Sequence, residues 1–227
     1  MAKKNSTAAP AENIEVVSVT ETIIEKYKKQ IVCAIVAIIV IAAAIIAYFQ
    51  FVRNPQVAQA NEELSRCETY FAQDNYEKAL NGDGQGCIGF LKVADEFGST
   101  KAGNLAHLYA GICYAQTDRY DEARQELEHF SAQDDAIISP AALGLLGNVY
   151  ANLGENEKAI STLIKAAKRA DNPSLSPTYL IQAGELYEAA GKPEQALKLY
   201  QQVKADYVTS MAVQQQEIDK YIERVSK

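Results

Sequence analysis

The 227-residue sequence has no tryptophan, two histidines, four cysteines and six prolines. With no two Cys or His at metal-ligand spacing, zinc-finger and thioredoxin-type chemistry are not expected. Neither H-E-x-x-H nor G-x-S-x-G occurs, and His107 and His129, 22 residues apart, have no nucleophile motif beside them. The reading is of a protein that is not an enzyme, with no cofactor and no metal, whose histidines lie on a surface or in a groove. Positive charge is scarce where a polyanion would need it: residues 54–227 hold 16 Lys+Arg against 25 Asp+Glu, whereas residues 1–53 hold 6 against 4. Phosphate contact requires a basic face, so nucleic acid is not an expected partner. Apolar residues, at 48% against 22% charged, are present in the proportion of a folded chain.

The longest apolar run, Ile31 to Phe49, carries no charge and is bounded by Lys28, Lys29 and Arg53. At about 1.5 Å per residue it covers about 28 Å, enough to cross a bilayer. A cleaved signal peptide has a shorter core followed by small residues, whereas Tyr48, Phe49, Gln50 and Phe51 follow here, so the run reads as an uncleaved anchor. Lys3, Lys4, Lys26, Lys28 and Lys29 precede it, and only Arg53 and Arg66 follow closely. The positive-inside rule then gives a cytoplasmic N-terminus and a large domain across the membrane, in the periplasm if the source is a diderm bacterium. Ser18-Val19-Thr20-Glu21 fits a capping box, which predicts a disordered cytoplasmic tail over 1–17, a short juxtamembrane helix over 18–30 and a transmembrane helix over 31–52. The short helix reads either as an interfacial anchor or as a cytoplasmic docking element. Within the span, Cys33, Ala37, Val40, Ala44 and Ala47 form a stripe of small residues of the kind that lets membrane helices approach closely.

Beyond the span the sequence repeats. Leu146-Gly147, Tyr150, Gly154, Ala159, Leu163 and Ala166 recur 37 residues later as Ala183-Gly184, Tyr187, Gly191, Ala196, Tyr200 and Val203. An earlier copy, Ala110-Gly111, Tyr114, Asp118, Ala123, Leu127 and Phe130, precedes by 36. This is the tetratricopeptide pattern, a helical hairpin in which Gly and Ala let the two helices cross closely and Tyr fills the gap beside them. Ser139-Pro140 and Ser176-Pro177 read as N-caps before a first-turn proline, and Pro193 starts another helix. A fourth, altered unit comes first, with Cys67 at the Gly position followed by Tyr70, Tyr76 and Ala79, and extra residues in the glycine-rich stretch Asn81 to Gly89. The expected organisation is membrane-proximal helices and this atypical unit over 53–103, three repeats over 104–210, and over 211–227 a capping helix whose apolar face is Met211, Ile218, Tyr221, Ile222 and Val225. The fold class is all-α: one N-terminal transmembrane helix, then a superhelical solenoid of repeats with a C-terminal cap.

Two motifs imitate chemistry. Gly84 to Gly89 matches G-x-G-x-x-G, but the residues before it read as a helix where the dinucleotide fingerprint needs a strand. Asn81, Asp83 and Gln85 imitate a calcium loop whose twelfth position is Lys92 in place of Glu. Cys67 and Cys113 fall at small or buried repeat positions and Cys33 lies in the span, where each acts as a small apolar residue. Cys87 is the candidate reactive thiol, and whether an exported domain pairs two of its three cysteines stays open.

Stacked repeats present the first helix of each pair on a concave surface. The side chains facing that groove are Leu105, Leu108, Tyr109, Ile112 and Gln116 in one copy, Ala141, Gly144, Leu145, Asn148 and Asn152 in the next, and Thr178, Ile181, Gln182, Glu185 and Ala189 in the last. The alternative reading packs Leu105, Leu108 and Ile112 on the preceding unit. Residues 104 to 210 resemble tetratricopeptide repeat proteins, with His107, Leu143 and Leu180 at the family's Trp position. Repeats that clamp a C-terminal carboxylate carry Lys and Arg where Leu108, Gly144 and Ile181 stand, so that activity is not implied. The short helix Glu21 to Lys29, the single span and the repeats together resemble the YfgM-type ancillary subunits of the Sec translocon. Gly89 to Ala106 is similar to the form that family takes in the Bacteroidota. The resemblance implies a SecYEG-like channel and a PpiD-like membrane-anchored periplasmic chaperone as partners, with emerging polypeptides as a further contact. A structural scaffold of another envelope assembly, for division, secretion or wall synthesis, needs the same repeats and stays open.

Overall fold

The computed structural model describes residues 12–226, with side chains from residue 27 onward. The expected tail over residues 1–11, including Lys3 and Lys4, lies outside the described residues, as do the Ser18 and Glu21 side chains. The chain falls into two compact units, Met1–Pro55 and Gln56–Lys227.

The first unit is helical. Helix α1 runs Glu12–Tyr48 and is followed by a π-helical turn, Phe49–Arg53. Residues 12–17 are thus helical where a disordered tail was expected, and residues 18–30 are continuous with the apolar run where a separate short helix was expected. No Gly or Pro lies between Glu12 and Tyr48 to break the helix, so Ser18 sits inside it and not at a start. Among the described residues one helix is long and apolar enough to cross a membrane. Its large side chains are open, with Ile38 65% and Ile46 67% exposed. Tyr48 and Phe49 meet edge to face, with centroids 5.8 Å apart, at the end where an aromatic belt would sit.

The second unit consists, among the described residues, of helices joined by turns. They are α2 (Asn54–Phe71), α3 (Tyr76–Asn81), α4 (Phe90–Phe97), α5 (Lys101–Gln116), α6 (Tyr120–His129), α7 (Ile138–Asn152), α8 (Asn156–Ala170), α9 (Ser176–Ala189), α10 (Pro193–Asp206), α11 (Met211–Gln214) and α12 (Glu217–Val225). Four hairpins, α2/α3, α5/α6, α7/α8 and α9/α10, close in the same way. A left-handed residue, Asp74, Asp118, Gly154 or Gly191 (φ 54°, 57°, 76° and 68°), ends the first helix. The next amide then donates to the carbonyl of the repeat tyrosine: Asn75 to Tyr70 at 3.0 Å, and Arg119 to Tyr114, Glu155 to Tyr150 and Lys192 to Tyr187 at 2.9 Å. Such a bond satisfies carbonyls that a helix end leaves open. The helices of each pair cross closely: a Cβ on Gly111 would lie 2.6 Å from Leu127 Cγ, and one on Gly147 2.7 Å from Leu163 Cγ. Ala123, Ala159 and Ala196 beside these crossings are fully buried.

The first hairpin departs from the others because its second helix is interrupted. Residues 82–89 separate α3 from α4, whose Phe90, Val93, Ala94 and Phe97 are all buried. Where the other units place Gly against Leu or Tyr, Cys67 forms a disulfide with Cys87, 20 residues on. Cys67 is therefore not an unpaired small residue, and Cys87, 3% exposed, is not a reactive thiol. The free thiols among the described residues are Cys33, exposed, and Cys113, which burial pushes up to about 12. Asp83 organises the loop. Its Oδ1 accepts from the amides of Gln85 and Gly86 at 2.8 Å and of Cys87 at 3.0 Å, and its Oδ2 accepts from Tyr70 Oη at 2.6 Å. These donors, led by the Gly86 amide, hold the Asp83 carboxyl well below the usual carboxylate range. The carboxylate of the apparent calcium loop is thus spent on its own turn.

Ser139 and Ser176 do not cap their own helices. Both already lie in the first turn, fully buried, and their hydroxyls reach back into the preceding connection. Ser176 Oγ donates to Ala167 O at 2.8 Å and accepts from Asn172 N at 3.1 Å. Ser139 Oγ accepts from Gln133 N at 2.8 Å, while Asp135 Oδ1 takes the free amides of Ile137 and Ser139 at 3.0 Å. Pro193 does start α10, as its spacing predicts. The terminal segment breaks into two helices at Gln216 (φ 58°), the last of three consecutive glutamines with no apolar anchor. As a result Ile218 is fully buried, with Tyr221, Ile222 and Val225 packed on the same core. Met211, expected on that face, is 68% exposed.

Candidate protein-binding cleft

The first helices of the three regular hairpins carry the residues expected to face a groove, and the structure spends them differently. In α5, Leu105, Leu108 and Tyr109 pack against the first core cluster. The Tyr109 ring stacks on Phe90 (4.9 Å, 13°) and meets Phe71 edge to face (5.0 Å). Its hydroxyl donates to Glu68 Oε1 at 2.9 Å. Desolvation, followed by that carboxylate, pushes the phenol up to about 12. The cause is α4, which brings Phe90 and Phe97 to this end of the stack. Ile112 is half-buried and Gln116 exposed.

In α7, Gly144 is buried beneath the ring of Tyr179, leaving no room for a side chain. Leu145 packs on the first core and Asn148 is half-buried. Asn152 is exposed and returns its amide to its own helix, donating to Asn148 O at 2.9 Å. Ala141 is exposed.

In α9, Thr178, Ile181, Gln182 and Glu185 come together in one cleft of about 530 Å³, completed by Pro173, Ser174 and Pro177 and by Thr209 to Ala212, Glu217 and Tyr221 of the terminal segment. Ala189 is exposed outside it. Two polar atoms of lining residues, Gln182 Oε1 and Ser210 Oγ, are buried without a hydrogen-bond partner. A buried polar atom left unsatisfied costs about 1–3 kcal/mol. Reading the first helices alone missed Ser210 and Tyr221. A signal existed: Ser139, Ser176 and Ser210 stand at the starts of α7, α9 and α11, and all three are buried, but only Ser210 lacks a partner.

The span's small residues, Cys33, Ala37, Val40, Ala44 and Ala47, are all exposed on α1. Gly84, Gln85, Gly86, Cys87 and Lys92 border a shallow surface of the disulfide-closed loop, where a helix precedes the glycines as expected.

Comparison with known proteins agrees with the hairpin geometry. A family model described as Tetratricopeptide repeat matches residues 104–129, and a second with the same description matches residues 139–207. No curated protein matches the chain. The first match falls on α5 and α6 and the second on α7 through α10, the three hairpins with an uninterrupted second helix and a shared left-handed turn, so this chain carries tetratricopeptide repeats, the scaffold of a protein–protein interaction module.

Proposed function

We propose that this is a single-pass membrane protein whose repeat domain lies outside the cytoplasm and holds a polypeptide partner in the cleft between α9 and the terminal helices. The observation that carries the reading is the cleft of about 530 Å³ that α9 and the terminal segment build together, with Ile181, Pro177 and Tyr221 as apolar walls beside the exposed polar side chains of Thr178 and Glu185. Backbone groups of a bound segment would hydrogen-bond Thr178 and Glu185, and the apolar walls would cover its side chains. The Cys67–Cys87 bridge supports an oxidising compartment, and the lysines before the apolar run support a cytoplasmic N-terminus. With the resemblance to YfgM-type subunits, this makes the protein an inner-membrane adaptor that holds a PpiD-like chaperone beside a SecYEG-like channel and the polypeptides emerging from it. The small stripe of α1 would meet a membrane helix of that assembly.

Co-purification in mild detergent tests the division of labour. Thr178→Lys with Glu185→Lys alters two exposed cleft positions, and Ala44→Leu fills the stripe. The cleft pair is expected to release the chaperone, held through its periplasmic part, while the melting temperature stays unchanged, and Ala44→Leu to release the channel alone. Wild-type recovery of every partner from both variants would refute the reading, and a set of partners from division or wall synthesis would replace the translocon by another assembly. Topology is tested separately. A Cys placed at Lys227 should react with an impermeant thiol reagent in intact spheroplasts, and labelling only after lysis would reverse the orientation.

A further inference from the structure

We propose that His107, Glu126 and His129 form a binding site for a divalent transition-metal ion of the zinc class. These are the chain's two histidines, and the fold brings them together: their rings lie 5.4 Å apart and His107 Nδ1 is 2.8 Å from Glu126 Oε2. One possible ligand atom from each of the three residues lies within 4.8 Å of the others. Around a tetrahedral zinc with bonds of about 2.1 Å, ligand atoms stand about 3.4 Å apart, so the His107–Glu126 pair has to open slightly from 2.8 Å and the exposed His129 side chain has to turn in. Two nitrogens and a carboxylate oxygen suit zinc, and three protein ligands leave a fourth position for water.

The site is held in place from both helices. Glu126 and His129 are three apart on α6 and so share a face, opposite His107 on α5. One turn before His107, Asn104 clamps the chain just past α6. Its Nδ2 donates to Ser131 O at 2.8 Å, and its Oδ1 accepts from Ser131 N at 2.7 Å. His129 is the last residue of α6, where the helix dipole favours a cation.

The neighbouring repeats show that folding does not require these residues. At the equivalent positions they carry Leu143, Thr162 and Lys165, then Leu180, Leu199 and Gln202. Leu180 is a buried member of the second core cluster, and Leu143 packs against it. A histidine at that position forgoes apolar burial that its neighbours obtain, and all three departures fall in one unit and converge on one point.

The neighbours also supply the test. Zinc is titrated into the tag-free full chain in detergent by calorimetry, alongside His107→Leu, Glu126→Thr and His129→Lys, which install residues the same fold already accepts. One zinc per chain is expected, with affinity at least tenfold weaker in each variant, since even outer-shell changes cost about 10–100-fold. The wild-type melting temperature should rise with zinc and that of the variants should not. Absence of saturable binding, or equal binding by wild type and all three variants, would overturn the site.

Discussion

Reduction of the Cys67–Cys87 bridge, or its replacement by two serines, is expected to destabilise the repeat domain by about 3 kcal/mol. For a separation of 20 residues, loop-closure entropy restored to the unfolded chain accounts for that value. In a domain of this size the melting temperature should fall by roughly 6–12 °C. The loss should also be local. The bridge ties α2 to the loop where the second helix of the first hairpin is interrupted, and stacked repeats touch only their neighbours. Amides of residues 76–97 should therefore exchange faster after reduction, while those of α9 and α10 keep their protection. Asp83 bounds the loss, because its bonds to the 85–87 amides lie within the loop and Tyr70 of α2 donates to it at 2.6 Å, a second tie beside the bridge. Identical melting of oxidised and reduced protein would show that the packing of Phe90, Val93 and Phe97 holds this unit without the bridge.

What was legible in the sequence divides along the same line. The Gly, Tyr and Ala positions of the repeats are set by how closely two helices cross, a local constraint that recurs at each 36- or 37-residue step, and the structure puts Gly111 and Gly147 against Leu127 and Leu163 accordingly. The first unit breaks that rule. Sixteen residues after Cys67 the chain has Asp83, where the later units have Leu127, Leu163 and Tyr200, so no apolar side chain fills the crossing. That vacancy was the sign that Cys67 had another partner, and Cys87 fills it. The histidine cluster escaped for a related reason. Metal-ligand spacing along the chain detects ligands on one turn or one helix, whereas His107 and Glu126 belong to facing helices and meet only once the hairpin closes. Aligning the repeats by column would have revealed it, since no other copy has ligands at all three positions. At the apolar end of the groove the sequence left two readings open, because periodicity tells which side of α5 is concave but not that Leu105, Leu108 and Tyr109 pack on the first core, where Tyr109 stacks on Phe90 of α4.

Deleting residues 211–227 is expected to be the more damaging change, because α12 closes the open end of the second core. Full burial of Ile218 is worth about 1.5–3 kcal/mol, and the packed parts of Val213, Tyr221, Ile222 and Val225 contribute about as much again, for a total of about 5 kcal/mol. The melting temperature should fall by roughly 10–20 °C, and Tyr200 and Val203, both fully buried, would lose cover and promote aggregation. Ile218→Ala should reproduce about 2–5 kcal/mol of the loss. Met211→Ala, at a 68% exposed site, should change nothing beyond about 0.5 kcal/mol. A truncated domain that melts like the full one would remove the cap from the fold. The cap has a charged component as well. Arg224 donates to both carboxylate oxygens of Glu188, at 2.9 and 2.6 Å, and Tyr200 Oη donates to Oε1 at 2.5 Å. Arg224 first, and Tyr200 with it, lower the Glu188 pKa below its ordinary 4.5. A lowered carboxylate pKa stabilises the fold fully above the ordinary value, and that contribution is lost as the pH falls below it and through the native one. Because Arg224 is 52% exposed, solvent screens the pair and keeps this part small beside the apolar one. The melting gap between full and truncated chains should therefore narrow slightly from pH 7 to pH 3 and remain large. A gap that does not change with pH would assign the closure of the solenoid to Ile218 and its apolar neighbours alone.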